Sequence, residues 1–315
     1  MELGRADALR TRVYIDGYNL YFGCLKNTAC KWLDIRLLVE KILASVSYER
    51  DGKEVAYRFA NPAIKYFTAL ILESFAKSVD SMHCQIHYHD ALAGYLGEDF
   101  EMISGYYHAR PARAHKWEDG KAARECDQIE IWKLEEKQSD VALALHAFSD
   151  AIHGEVDQVI LVTNDSDLEP AMQLIRERTS TIIGLIAPIR PATGDVNTRL
   201  AKHAHWIRRH ILDNEISSSQ LPSMVRHHQN VVHKPLSWYP RPDLLIPIYK
   251  EAKRVRGSAG AARRWLNQPC PHLAGQIPIT MCEHERTARD LRNYMDRYAR
   301  DFGVSRSPPK PPLTR

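Results

Sequence analysis

The sequence predicts an α/β protein: a doubly wound domain with a central, mostly parallel sheet, followed by a small helical module. Short apolar runs alternate with stretches of helical spacing up to about residue 212, the pattern of strands that return to one sheet through helical crossovers. Residues 158–163 are continuously apolar and bounded by turns, as in a parallel strand buried on both faces. Finally, two strand-like runs end in acidic turns, Tyr14-Ile15-Asp16-Gly17-Tyr18-Asn19 and Leu161-Val162-Thr163-Asn164-Asp165-Ser166-Asp167. Those turns can meet only if their strands lie side by side and parallel.

Taken in order, a strand over 12–16 leads to a helix over 34–43, with Asp34 at its N-cap. Residues 54–61 read as a strand stopped by Asn61-Pro62, and Phe67, Leu70, Ile71, Phe75 and Val79 recur at helical spacing, predicting a helix over 65–79. Residues 80–128 are less regular, with short strands at 84–88 and 103–107 and a polar basic loop over 110–124. His87 and His89 would share one face of the first of these strands; with no carboxylate completing a set, they read as surface or hydrogen-bonded groups. Then follow a strand at 129–134, a helix at 140–153 that places Asp140 at its N-terminus, the strand at 158–163, a helix at 168–178, a strand at 181–187 and a helix at 197–212. The first domain is therefore set at 1–213. Residues 214–242, rich in Ser, Pro and His, read as a linker. A helical module occupies 243–304, and the Pro-rich basic tail 305–315 reads as disordered.

The 44% hydrophobic and 26% charged fractions are those of an ordinary soluble protein. No apolar run is long enough to span a bilayer and residues 1–7 lack a signal-peptide core, which predicts a cytoplasmic location. Six cysteines without a CxxC pair read as reduced thiols. Cys270 and His272 with Cys282 and His284 have unusual spacing for zinc and read as core and loop residues. The net charge of +4 conceals an asymmetry: residues 1–198 carry 22 Lys and Arg against 30 Asp and Glu, and residues 199–315 carry 21 against 9. In the 110–124 loop, Arg110, Arg113, Lys116, Lys121 and Arg124 surround Trp117, a combination suited to phosphate contact and base stacking.

The topology brings Asp16, Asp140, Asp165 and Asp167 to one edge of the sheet. Carboxylates gathered there repel one another unless a cation neutralises them. Oxygen ligands without thiol or imidazole select Mg²⁺ or Mn²⁺ over zinc. Such an ion activates water against a phosphodiester. Asp16 and Asp165 each have a second polar group close in sequence, Asn19 and Ser166. Asp167 equally suits a helix cap.

These residues carry a resemblance. The 14–20 segment, Lys137-Gln138-Ser139-Asp140-Val141-Ala142-Leu143-Ala144 and the 161–170 segment resemble, in order, three signature blocks of the NYN domain, a relative of PIN-domain nucleases that includes LabA-like proteins. The resemblance spans about residues 10–212 and implies a PIN-like α/β sandwich with a Mg²⁺-dependent ribonuclease site at Asp16, Asn19, Asp140, Asp165 and Asp167. His146 stands where many relatives have an acid, and Asn164 where glycine is frequent. Residues 261–278, with Trp265-Leu266 and several prolines, resemble the partner-binding domain of Xre/MbcA/ParS-type antitoxins, with Ala274 in a usual glycine position; this implies a protein partner or self-association. Proteins with an NYN-type opening also include the 6-hydroxy-3-succinoylpyridine hydroxylases of nicotine breakdown, which implies an alternative NADH-dependent monooxygenase, with or without flavin. The sequence has no GxGxxG after a strand, which argues against hydride transfer. A catalytically silent RNA-binding protein is the remaining alternative.

Overall fold

The structure, a computed structural model, describes residues 8–46, 48–50 and 53–301. The expected disordered tail and residues 1–7 lie outside them. The chain forms two compact units, Met1–His233 and Lys234–Arg315.

The first unit is built on β1 (Leu9–Asp16), α1 (Ile35–Leu43), β2 (Tyr57–Thr68), α2 (Ser81–Leu96) and β3 (Phe100–Ser104). A two-stranded ribbon follows, β4 (Tyr106–His115) and β5 (Gln128–Lys137), then α3 (Ser139–Ile152), β6 (Gln158–Val162), α4 (Glu169–Arg178), β7 (Ile182–Ile186) and β8 (Trp206–Arg208). Six strands pair in the order β8-β7-β6-β1-β2-β3, every pair parallel. This is the predicted doubly wound architecture, consistent with a PIN-like NYN fold. Tyr14, Val159, Leu161, Ile183 and Leu185 pack in one core with Leu143 and Ala147 of α3 and Met172 and Ile175 of α4. The alternate residues Val13, Ile15, Ile160 and Val162 are buried as well, so these strands are covered on both faces.

Several sequence expectations are corrected. β2 does not stop at Asn61-Pro62: a bulge absorbs the proline, so that Thr11 faces Phe59 but Val13 faces Ile64. The strand continues to Thr68 where a helix was expected, because residues 63–69 are buried on both faces and such a run carries no diagnostic period. Residues 84–88 are helical, within α2. His83 and His87 lie one turn apart with ring centroids at 4.1 Å and the rings tilted by 53°, whereas His87 and His89 point to different sides. Residues 110–115 of the expected basic loop belong to the ribbon strand β4, and 116–124 form the connection at its tip. The expected helix at 197–212 is one turn, Thr198–Ala201, followed by β8. Trp206 draws this segment into the sheet: its ring covers Gly184, where a Cβ would lie 2.1 Å from it, and its indole N–H donates to buried Gln158 at 3.2 Å. The expected linker holds a short helix, Asp213–Ser217, and a hairpin, β9 (Met224–His227) and β10 (Asn230–His233), packed on α2.

A buried ionic network anchors β1 and β2 to α3. Asp150, 5% exposed, accepts from Arg12 at 2.7 Å, Lys65 at 2.8 Å and the Tyr14 hydroxyl at 2.6 Å. Burial alone would push the Asp150 carboxyl up; the hydrogen bonds from Lys65, Tyr14 and Arg12 outweigh it and hold it below the usual range. Arg12 also donates to the Pro62 and Asn61 carbonyls of the bulge.

The second unit comprises α5 (Pro242–Arg256), α6 (Ala259–Leu266), a turn Pro278–Met281 and α7 (Glu285–Asp301). Leu245, Ile248, Ala262, Leu266, Leu291 and Met295 form its core. Ala274 has φ +53° and ψ +36°, the left-handed region in which a Cβ is crowded; this is the physical reason glycine is usual there.

Two stability predictions follow from these contacts. Asp150→Ala strands two buried cations and should cost about 3–5 kcal/mol, read as a lower urea midpoint. Ala274→Gly relieves the left-handed strain and should stabilise the second unit by about 1 kcal/mol, read as a higher midpoint in the transition that reports it.

Candidate functional site

The strand order reverses between β1 and β6: β2 and β3 extend the sheet on one side, β7 and β8 on the other. Ligands of open α/β sheets bind beyond the carboxyl ends of strands at such a switch point. Register places Ile15 opposite Val162, so Asp16 and Thr163 leave adjacent strands together. The Thr163 hydroxyl donates to Asp16 Oδ2 at 3.2 Å and accepts from the Asp165 N–H at 3.1 Å. Asp16 Oδ1 accepts from the Asn19 N–H at 2.9 Å, capping the turn Gly17–Leu20. Asn19 Oδ1 in turn accepts from the Asn164 N–H at 3.1 Å. The two acidic turns are thus stitched together through Thr163 and Asn19. Only glycine fits at position 17, because a Cβ would lie 2.6 Å from the Tyr66 hydroxyl and 2.9 Å from the Phe67 carbonyl oxygen.

Asp165 caps the turn Ser166–Leu168 by accepting from the Asp167 N–H at 3.0 Å, while Asp167 itself is exposed. The capping role considered for Asp167 therefore belongs to Asp165. Asp140 sits in the first turn of α3. His146, the departure from the family pattern, lies beside Lys65 with Nδ1 3.4 Å from Nζ and its ring edge-on to Phe67. It joins the surroundings of Asp150, not the acidic edge. Asn164 links the site to the next loop, its Oδ1 accepting from the Asn197 N–H at 2.7 Å.

Burial, with the charges of Asp140 and Asp165, pushes the Asp16 carboxyl up to about 6 against the bonds from Asn19 and Thr163. Asp140 is raised by burial and by Asp165, Glu136 and Asp167. The structure therefore places Asp16, Asp140 and Asp165 within electrostatic reach of one another and adds Glu136, which accepts from the Ser139 hydroxyl at 2.5 Å. Sequence reasoning missed Glu136 and gave Thr163 no role. Glu136 precedes Ser139 by one helical turn's spacing, a weak signal for a cap, and nothing in the sequence singles out Thr163 among strand residues.

Among the described residues, no three Asp, Glu, His or Cys side chains converge into a ready-made metal site. The donors present are nonetheless carboxylate oxygens whose ionisation is opposed by burial and by one another. That chemistry suits a hard divalent ion, and Mg²⁺ retains several waters while using one or two carboxylates. The fit is to a partly hydrated ion, not to one enclosed by protein ligands.

The predicted RNA-contacting residues lie apart from the strand ends, on the ribbon and its tip. Arg110 and Arg113 belong to β4, and Lys116, Trp117 and Lys121 to the connection beyond it. Trp117 is 83% exposed. The basic character is local only, since residues 106–137 carry seven Lys and Arg against seven Asp and Glu; Arg113 faces Glu130 at 3.8 Å and Lys121 pairs with Glu118 at 2.6 Å.

The chain thus joins an α/β unit with carboxylates at its switch point to a separate helical unit. The NYN domain model matches residues 10–208, and the antitoxin Xre/MbcA/ParS C-terminal toxin-binding domain model matches residues 252–300. The chain belongs to the NYN domain family. It is 44% identical, over 92% of its length and 95% of the relative's, to a protein named 6-hydroxy-3-succinoylpyridine 3-monooxygenase HspA from Pseudomonas putida (strain DSM 28022 / S16). A crystal structure of a protein of unknown function from Vibrio parahaemolyticus RIMD 2210633 is 20% identical, covers 66% of this chain and 96% of its own, and superposes with a TM-score of 0.37. No helix among the described residues is long and apolar enough to cross a membrane.

The Asp16 carboxyl generates a pH prediction. Its folded pKa of about 6 lies above the unfolded value of about 3.9. Between those values the folded chain holds the extra proton, so this group's contribution to stability falls as pH rises from about 4 to 6. In metal-free buffer at pH 7.5, Asp16→Asn should stabilise the protein by up to about 3 kcal/mol, and the gain should vanish near pH 4. Urea titrations of both proteins at the two pH values check this.

Proposed function

We propose that the protein is a metal-dependent ribonuclease that hydrolyses RNA phosphodiesters at the edge formed by the ends of β1 and β6 and the start of α3. The observation that supports this most is the convergence of the Asp16 and Asp165 turns at the switch point through Thr163, beside Asp140, where burial and acidic neighbours raise the Asp16 and Asp140 carboxyls. Asp16, Asp140 and Asp165 would hold Mg²⁺ or Mn²⁺, with Asp167 contacting metal-bound water. When bound, such an ion neutralises the carboxylates, lowers the pKa of a coordinated water and stabilises charge developing on phosphate. Thr163 orients Asp16 through its hydroxyl, and the Asn164 N–H occupies Asn19 Oδ1, leaving the Asn19 NH₂ as the donor toward a phosphate oxygen. Trp117 offers an exposed ring for base stacking, with Arg110, Arg113, Lys116 and Lys121 contacting phosphates. The match of residues 252–300 to a toxin-binding domain supports a protein partner for the second unit.

A second reading rests on one observation, the 44% identity to a protein named as a monooxygenase across nearly the whole of both chains. On that reading the chain hydroxylates 6-hydroxy-3-succinoylpyridine with molecular oxygen, one oxygen atom entering the substrate and the other leaving as water, and NADH supplying the two electrons, with or without a bound flavin. A catalytically silent RNA binder would retain RNA under every metal condition without cleaving it.

Cleavage of single-stranded RNA with Mn²⁺ separates these readings. The intact chain should cut, and Asp16→Asn and Asp140→Asn should each lose at least about 100-fold in rate. Equal cleavage by the intact chain and the variants would overturn the assignment. NADH consumption dependent on the pyridine, without RNA cleavage, would establish the second reading.

A further inference from the structure

The final helix, α7, buries Ala288, Leu291, Met295 and Ala299. Its opposite face carries Arg286, Arg289, Asn293, Arg297 and Arg300, separated by three or four residues and all exposed. At 1.5 Å per residue this row extends about 21 Å. Among the described residues Arg286, Arg289 and Arg297 form no ion pair, and Arg300 bonds only the Asp296 carbonyl of its own helix, at 3.3 Å. The acids of α7, such as Asp290 and Asp296, lie on the flanks of this row. The helix contains five arginines and no lysine.

From this we infer that the outer face of α7 binds the phosphate backbone of single-stranded RNA. An unpaired cationic row calls for a polyanion. Arginine in place of lysine favours oxyanions that accept bidentately, phosphate among them, because the guanidinium fork donates two parallel hydrogen bonds and sheds its hydration more readily. Arg286 with Arg289 and Arg297 with Arg300 form two pairs, each about one turn apart, separated by about 12 Å across Asn293, a spacing that an extended phosphodiester can follow along the helix. Although α7 carries four acids, Glu285, Asp290, Asp296 and Asp301, against its five arginines, residues 234–315 together carry 16 Lys and Arg against 7 Asp and Glu, whereas the ribbon is balanced. The choice of RNA as the polyanion rests on the ribonuclease reading; the placement of the surface rests on the arginines.

The test uses the full chain, a fluorescein-labelled 20-nucleotide uridine RNA and EDTA, so that binding is measured without metal-dependent cleavage. Replacing Arg286, Arg289, Arg297 and Arg300 together by Gln should weaken binding by at least 10-fold at about 0.1 M salt, and should reduce the slope of log K against log salt by about 2 to 3. The fourfold Arg→Lys variant should retain most of that slope. The substituted groups are exposed, and an unchanged circular dichroism spectrum verifies the fold. Unchanged RNA affinity in the Gln variant overturns the inference. So does equal binding of poly-glutamate and RNA by the intact chain, which would mark the row as a surface for acidic proteins. Loss of cleavage in Asp16→Asn with retained RNA binding keeps the two propositions separate.

Discussion

The structure turns on Asp150. Arg12 and Lys65 project from adjacent parallel strands toward α3, and a single carboxylate from that helix receives both, together with the Tyr14 hydroxyl. An unpaired charge at this depth would cost several kcal/mol, so the helix is fixed against the two strands in one position. Asp16 lies four residues beyond Arg12, about 13 Å along β1. Asp140 lies ten residues before Asp150, about 15 Å along α3. The helix runs back along the sheet opposite to the strand, so these nearly equal arms, joined at Asp150, bring their far ends to the same edge. The position of Asp140 at the acidic edge is therefore set by an ionic contact in the middle of the sheet.

That division clarifies His146. It occupies a position where family members often carry an acid, yet here it is beside Lys65 and Phe67. An acid at this place would compete with Asp150 for Lys65; a histidine leaves that ion pair intact. The substitution consequently bears on the anchoring contact first, and on Asp140 only through the orientation of α3.

What could be read in the sequence follows from how local the causes are. The acidic strand ends were legible because parallel strands share their carboxyl edge, and Asp34 was legible as a cap because its partner is the Leu37 N–H three residues on. β2 beyond Asn61-Pro62 was not, because the bulge that accepts the proline depends on register with β1, 50 residues away. β8 was missed for a similar reason: Trp206 is held by Gln158 and Gly184, neither near it in sequence. The Asp150 network was invisible because Arg12, Lys65 and Asp150 look like ordinary charges until the fold buries them. Glu136 fell between the expected strand 129–134 and the helix from Asp140, and only the ribbon strand's continuation to Lys137 carries it toward Asp140.

The two ends of β1 treat carboxylates in opposite ways. At Asp150 the protein surrounds one buried carboxylate with two cations and a hydroxyl, and its proton affinity falls. At Asp16 it buries a carboxylate near others, and proton affinity rises to about 6. Among the described residues no Lys or Arg pairs with Asp16, Asp140, Asp165 or Asp167. Folding by itself would be better served by an amide at Asp16, which could keep the Asn19 contact without the desolvated charge. The proposed divalent cation would offset that desolvated charge. This reasoning points to metal at the edge more strongly than to the bond that is broken there, because an ion bound by carboxylates and water can activate more than one kind of electrophile. Which reaction is carried out is therefore set by what reaches that edge, and the four aspartates alone do not decide it.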